Sequence, residues 1–260
     1  MGEVASYPVG TFSWVDLGTT DVEGAKAFYR GLFGWQMEDL PTSEGSYTMC
    51  RLEGRDVAGI HEHAEGEGTD WGSSISVDDA DRAAARAREL GATVLAEPFD
   101  VPGAGRTAVL RDPSGAVVSL WQPRGHVGAG LVNEVGTWGW NELVTPDLAA
   151  ATAFYARLFG WGAQDIPGEF PRTSFSLGDL LVGGGHAPTP QEGPAARWTI
   201  SFRVADADQS AERVQQLGGA VLLPPLDIPV GRFAIVADPA GASFSIMAVP
   251  GGPLRGVDGS

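Results

Sequence analysis

Apolar and polar positions along the chain fall into segments of two periods. Around residues 12–18, 35–39, 46–52 and 56–61, up to Val77, and near 92–95, 105–111 and 116–122, short apolar or alternating runs predict strands. Between the first two, Phe28 and Leu32 stand at i, i+4 behind Asp21, a favoured helix N-cap, and Gly34 sits where a left-handed residue would end the helix. A second helix is predicted around 80–90, closed by Leu90-Gly91. Asp112-Pro113-Ser114-Gly115 has the chemistry of a type I turn. The resulting order is βαβββ, twice.

The whole pattern then recurs. Trp14-Val15-Asp16-Leu17 returns as Trp140-Asn141-Glu142-Leu143, at an offset of 126 (140 minus 14). Ala27-Phe28-Tyr29 and Leu32-Phe33-Gly34-Trp35 return as Ala153-Phe154-Tyr155 and Leu158-Phe159-Gly160-Trp161, and Asp112-Pro113 returns as Asp238-Pro239, at the same spacing. One offset held across motifs spread over a hundred positions is the mark of duplication. The expected architecture is therefore α+β: module 1 over 1–123, a connector over 124–137, module 2 over 138–249 and a tail over 250–260. Leu131-Val132 is too apolar for a free linker, so the connector is expected to be structured.

Composition narrows the partners. With 33 acidic and 17 basic residues the net charge is −16, which disfavours nucleic acid and anionic membranes. The single cysteine, Cys50, rules out an intramolecular disulfide, and its mid-strand place suggests a buried, inert thiol. No apolar run approaches a membrane span, and the first ten residues have no signal-peptide pattern; a cytoplasmic protein, monomer or homodimer, is expected.

The order βαβββ-βαβββ, the Asp-started helix with Phe-Tyr, its Leu-Phe-Gly-Trp end and the Asp-Pro-x-Gly hairpin together resemble the vicinal oxygen chelate superfamily of glyoxalase, bleomycin-resistance and extradiol dioxygenase proteins, over about residues 12–123 and 138–249. The resemblance implies that each module pairs two βαβββ units into a half-open β-barrel. It also implies a divalent metal held by His, Gln or Glu from facing strands. Those positions fall on Trp14, Gly72, Ser119 and, near the long loop, Gly59; in module 2 they fall on Trp140, Thr199, Ser245 and Gly184. None is a residue from which such a site is built. No metal and no cofactor are expected.

What remains on that face is aromatic and acidic. Alternation places Asp16 with Trp14, and Glu142 with Trp140. Each carboxylate would face a ligand or pair with a duplicated arginine, Arg106 or Arg232. His61 and His186 end the strand before the long loop, as ligand contacts or as exposed polar residues, and Trp121 lies on a strand expected to line the cavity. Indoles around a metal-free cavity favour an aromatic or cationic guest, unless Trp14 and Trp140 plug it. The leading expectation is a metal-independent protein that binds a small aromatic metabolite or drug. The alternatives are an isomerase, lyase or hydroxylase-like enzyme, with a displaced metal site at Asp16/His61 and Glu142/His186 or with metal-free acid–base chemistry, or a regulatory protein inhibiting a protein kinase, as the resemblance to tandem relatives implies.

Overall fold

The computed structural model describes residues 2–42, 45–63, 68–168, 171–189 and 192–250. Module 1 runs β1 (Phe12–Thr19), α1 (Val22–Phe33), β2 (Gln36–Thr42), β3 (Gly45–Leu52), β4 (Arg55–Glu62), β5 (Asp70–Ser76), α2 (Ala80–Glu89), β6 (Thr93–Val101), β7 (Gly105–Arg111) and β8 (Val117–Pro123). Module 2 repeats the order as β9 (Trp138–Val144), α3 (Leu148–Phe159), β10 (Gly162–Ile166), β11 (Arg172–Leu177), β12 (Leu180–His186), β13 (Arg197–Arg203), α4 (Ala207–Gln216), β14 (Ala220–Ile228), β15 (Gly231–Ala237) and β16 (Ser243–Ala248).

Each module is one eight-stranded sheet, β2-β3-β4-β1-β5-β8-β7-β6 and β10-β11-β12-β9-β13-β16-β15-β14. Two βαβββ units meet where β1 runs antiparallel to β5, and each of these carries a parallel strand on its outer side, β4 and β8. The helix boundaries follow from local chemistry. The Asp21 carboxylate accepts from Gly24 N at 2.9 Å, and Gly34 closes α1 at φ 74. Asp147 and Gly160, at φ 78, do the same for α3. Among the described residues no helix is long and apolar enough to cross a membrane.

The duplicated aromatic motif is spent on the contact between modules. Tyr29 of α1 donates its hydroxyl to Asp238 at 3.1 Å, and Tyr155 of α3 donates to Asp112 at 2.9 Å. Each hydroxyl in turn accepts an indole N–H from its own module, Trp71 at 3.0 Å and Trp198 at 2.8 Å. Trp35 donates to the Gly136 carbonyl and Trp161 to that of Gly10, both at 2.7 Å. Phe12 packs on Trp198 at 4.8 Å and Phe33 on Phe202 at 4.9 Å. These rings bury large apolar area while their polar tips find partners, so the modules share one core.

The connector is structured, as its apolar pair suggests. Leu131 and Val132 are buried, Ala129 N donates to Ser13 O at 2.8 Å, and Gly130 N donates to Asp56 O at 2.7 Å. This binds residues 124–132 onto module 1, while Gly136 N donates to Arg203 O of module 2 at 2.8 Å.

Candidate functional site

Cross-strand partners share a face of a sheet. Leu17 lies opposite Trp71, whose indole bonds Tyr29 of α1, so this is the helix-bearing face. The alternate residues look the other way: Trp14 opposite Ser74, Asp16 opposite Gly72, and Ser119 beside Ser74. On this inner face the neighbouring glycines clear room for polar groups. A Cβ at Gly59 would collide with the Tyr47 hydroxyl, and one at Gly72 would come within 3.0 Å of Asp16 Oδ1.

Asp16 is the unusual group. Its side chain is 27% exposed, and the nearest imidazole nitrogen, His61 Nδ1, is 3.9 Å from Oδ2, beyond hydrogen-bond length. Burial pushes its carboxyl above the usual carboxylate range. His61 opposes that shift, Asp70 adds to it, His63 opposes it, and a hydrogen bond with Tyr47 is the smallest influence. The Trp14 indole, its near neighbour, donates instead to the Tyr47 hydroxyl at 2.8 Å. Burial, then the Asp16 charge, hold Tyr47 well above the ordinary phenol range, so it stays neutral. His61 stacks on Tyr47 with centroids 6.2 Å apart, and its Nδ1 is buried with no hydrogen-bond partner. His63 packs on His61 at 5.1 Å and lies 3.8 Å from Asp70. Gly18 makes room for the His63 ring.

One end of this face is closed by the connector. The His126 ring meets Trp14 edge-on at 4.6 Å and Trp121 at 6.0 Å, while Trp121 Nε1 donates to the His126 carbonyl at 2.9 Å. Trp14 and Trp121 are consequently buried. Farther along, Phe99 pairs with Thr107, which pairs with Trp121, so this half-exposed ring shares the inner face.

Module 2 treats the matching carboxylate differently. Glu142 accepts from Trp140 Nε1 at 2.7 Å and meets His186 Nδ1 at 3.2 Å; the other ring nitrogen meets Glu192 at 3.1 Å. Glu192 also accepts from Thr189 N and Thr189 Oγ1. A ring engaged by carboxylates at both nitrogens is an imidazolium. The two carboxylates outweigh burial and push His186 up to about 9, while His186 and Thr189, against burial, hold Glu192 down at about 2. Gly184 leaves the space that the Glu142 carboxylate fills.

The structure thus brings Trp14, Asp16 and His61 together in module 1, with Trp121 reached through His126, and Trp140, Glu142 and His186 together in module 2. It overturns the pairing expected for the arginines. Arg106 forks onto Asp81 of α2 at 2.7 and 2.8 Å and reaches Asp100 at 3.1 Å. Arg232 likewise binds Asp208 of α4, at 2.9 Å from Nη2, and Asp227 at 3.2 Å. Both belong to the solvent side, where each clamps a helix to a hairpin. Tyr47 and Glu192 escaped the sequence reading because neither belongs to a duplicated motif. The one trace of Tyr47 is Gly59, diagonal to it across β3 and β4, where a side chain would collide with the Tyr47 hydroxyl. Cys50 is fully buried and its thiol is pushed up by burial, as an inert core residue. A cleft of about 520 Å³ lies elsewhere, under the β14–β15 turn; its only charged lining, Asp227 and Arg232, pairs with itself.

Residues 11–120 match the model of the Glyoxalase/Bleomycin resistance protein/Dioxygenase superfamily, and residues 141–247 match that of a glyoxalase-like domain. CFP32 of Mycobacterium bovis, provisionally named as a glyoxylase, is 41% identical over 256 residues, covering 95% of this chain and 98% of that one. The chain belongs to this superfamily. Another relative is the anthracycline biosynthesis protein DnrV of Streptomyces peucetius, 34% identical over 259 residues and covering 93% and 94% of the two chains. Among solved structures, the 2,3-dioxygenase LapB from Pseudomonas sp. KL28 superposes with a TM-score of 0.67 at 16% identity, covering 96% of each chain. The Mn(II)-bound glyoxalase from Novosphingobium aromaticivorans gives 0.64 at 16%, covering 92% and 82%. At that identity the likeness is one of fold.

Membership in the family raises the question of a divalent metal, and the residues do not fit one at its usual place. The cross-strand row there is Trp14, Ser74 and Ser119, with Gly72 and Gly59 alongside; in module 2 it is Trp140, Ser201 and Ser245, with Thr199 and Gly184. Indole, hydroxyl and glycine do not make a transition-metal site.

Proposed function

We propose that the chain is a metal-independent binding protein for a small aromatic molecule, with its working site on the inner face of module 1. The observation that carries this reading is Asp16. A mostly buried carboxylate served only by the weak hydrogen bond of Tyr47 costs stability unless something else supplies a further donor. Gly72 leaves room for its carboxylate, and Tyr47, seated over Gly59, lies beside it. A guest bearing a phenol or ammonium group would supply that donor, and Phe99, Tyr47 and the ring of His61 offer flat apolar contact on the same face.

Module 2 supports the same reading by contrast. Its carboxylate is saturated by Trp140 and His186, which leaves a guest little to bind. The name of the Streptomyces relative refers to the making of polycyclic aromatic compounds, in keeping with a flat guest. The test is a tryptophan-fluorescence titration with hydroxylated polycyclic aromatics, in chelator, of the wild type and Asp16→Asn. Saturable binding that Asp16→Asn weakens by roughly 1.5–3 kcal/mol, the worth of one hydrogen bond to a charged group, is expected. Binding that is abolished by chelator, or indifferent to Asp16, would refute it.

A further inference from the structure

We propose that the inner face of module 1 is also a cofactor-free proton-transfer site, in which Asp16 moves a proton between the central carbon and a carbonyl oxygen of an aryl 1,3-dicarbonyl compound. This rests on the reading that module 1 binds an aromatic guest, and it gives that guest a chemical class.

A general base needs a lone pair that no protein donor occupies, a desolvated setting that strengthens it, and access to the guest. Asp16 meets all three: among the described residues Tyr47 alone is placed to donate to it, as its weakest influence, which leaves carboxylate lone pairs over; its side chain is largely buried; and 27% of that side chain remains exposed. The charged and titratable groups facing it come from every neighbouring element. They are Tyr47 on β3, His61 on β4, His63 just after β4 and Asp70 on β5. Glu142 meets none of the three conditions so well, because an indole and an imidazolium occupy its oxygens.

The same surroundings choose the substrate. The metal-ligand positions of the family hold Trp14, Gly72 and Ser119, so no Lewis acid is built in beside Asp16 to stabilise a developing oxyanion. A simple ketone is too weak an acid for an unaided carboxylate. A carbon flanked by two carbonyls is acidic enough, because the second carbonyl delocalises the charge. In the step, the central C–H bond breaks and its proton passes to an Asp16 carboxylate oxygen. The electron pair becomes the C=C bond and places negative charge on one carbonyl oxygen. The same proton then returns from Asp16 to that oxygen, which yields the enol and restores the carboxylate. No oxidant or co-reactant enters.

The probe is benzoylacetone, followed in chelator as enolisation by ultraviolet absorbance and as deuterium exchange at the central carbon by NMR. Its binding is read separately by tryptophan fluorescence, and rates are taken at saturation. The expected result is a saturable acceleration over buffer that Asp16→Asn lowers by at least ~100-fold, the scale of a lost general base. Asp70→Asn, a change at an exposed position, removes a charge that raises the Asp16 carboxyl, so it should move the acid limb of the pH–rate profile to lower pH. Benzoylacetone that binds but is not accelerated, a rate that survives Asp16→Asn, or an acid limb unmoved by Asp70→Asn would overturn the inference and leave the binding reading standing. Failure of benzoylacetone and of the hydroxylated aromatics alike to bind would overturn both.

Discussion

Asp16 and Glu142 occupy matching positions, and one methylene separates their fates. The longer Glu142 reaches both Trp140 Nε1 and His186, whereas Asp16 stops 3.9 Å short of His61. A carboxyl raised by burial is favoured in its neutral form, so Asp16 contributes stability only at acid pH and loses it as pH rises through its folded value. Asp16→Asn should therefore raise the melting temperature at neutral pH, by an amount equivalent to about 1 kcal/mol, and the gain should vanish in acid. A melt in which the variant is the less stable protein at neutral pH would mean that Asp16 is a structural group. His186 behaves oppositely. Its folded value of about 9 lies above the usual 6.5, so its stabilisation is complete below about 6.5 and lost as pH rises through 9. Glu192, held at about 2 against a usual 4.5, adds stability above 4.5 that is lost as pH falls toward 2. His186→Gln, which leaves two carboxylates facing each other, should lower the melting temperature clearly at pH 6 and much less at pH 10. A pH-independent difference would contradict the triad.

Among the elements, helices and sheets were legible because their signals are local. The Asp21 and Asp147 caps, the Gly34 and Gly160 stops, and the alternation along β1 and β9 each appear within a few residues, and duplication prints them twice. Pairing across the fold was not legible. Arg106 was a reasonable partner for Asp16 by residue type, yet β7 lies two strands beyond β5 and its side chain turns to α2. Nor does the motif shared by α1 and α3 reveal that its aromatic rings face the other module. That contact yields its own prediction. Tyr29→Phe removes the donor to a buried Asp238, whose carboxyl burial already raises, and strips Trp71 of its acceptor. A loss of about 1–3 kcal/mol is expected for each of Tyr29→Phe and Tyr155→Phe, read by urea unfolding. Unchanged midpoints would show that the two hydroxyl relays do not hold the modules together.

At the scale of the whole molecule, duplication followed by divergence leaves one closed carboxylate and one open one in a single shared core. Because Trp35 and Trp161 take their acceptors from segments leading into the other module, neither half keeps its hydrogen bonds alone. Module 1 expressed by itself should fail to give a cooperative melt, and a sharp native-like transition from it would argue against the shared core. Elemental analysis of the purified full chain should find no stoichiometric Zn, Fe, Ni or Mn, since the inner-face rows lack ligands for one. The most direct test of the central claim is calorimetric titration of the chelator-treated chain with a hydroxylated aromatic that it binds, for the wild type, Asp16→Asn and Glu142→Gln. One site per chain is expected, weakened roughly 10-fold or more by Asp16→Asn and left in place by Glu142→Gln. Two equal sites, or a single site lost with Glu142 and kept without Asp16, would contradict it.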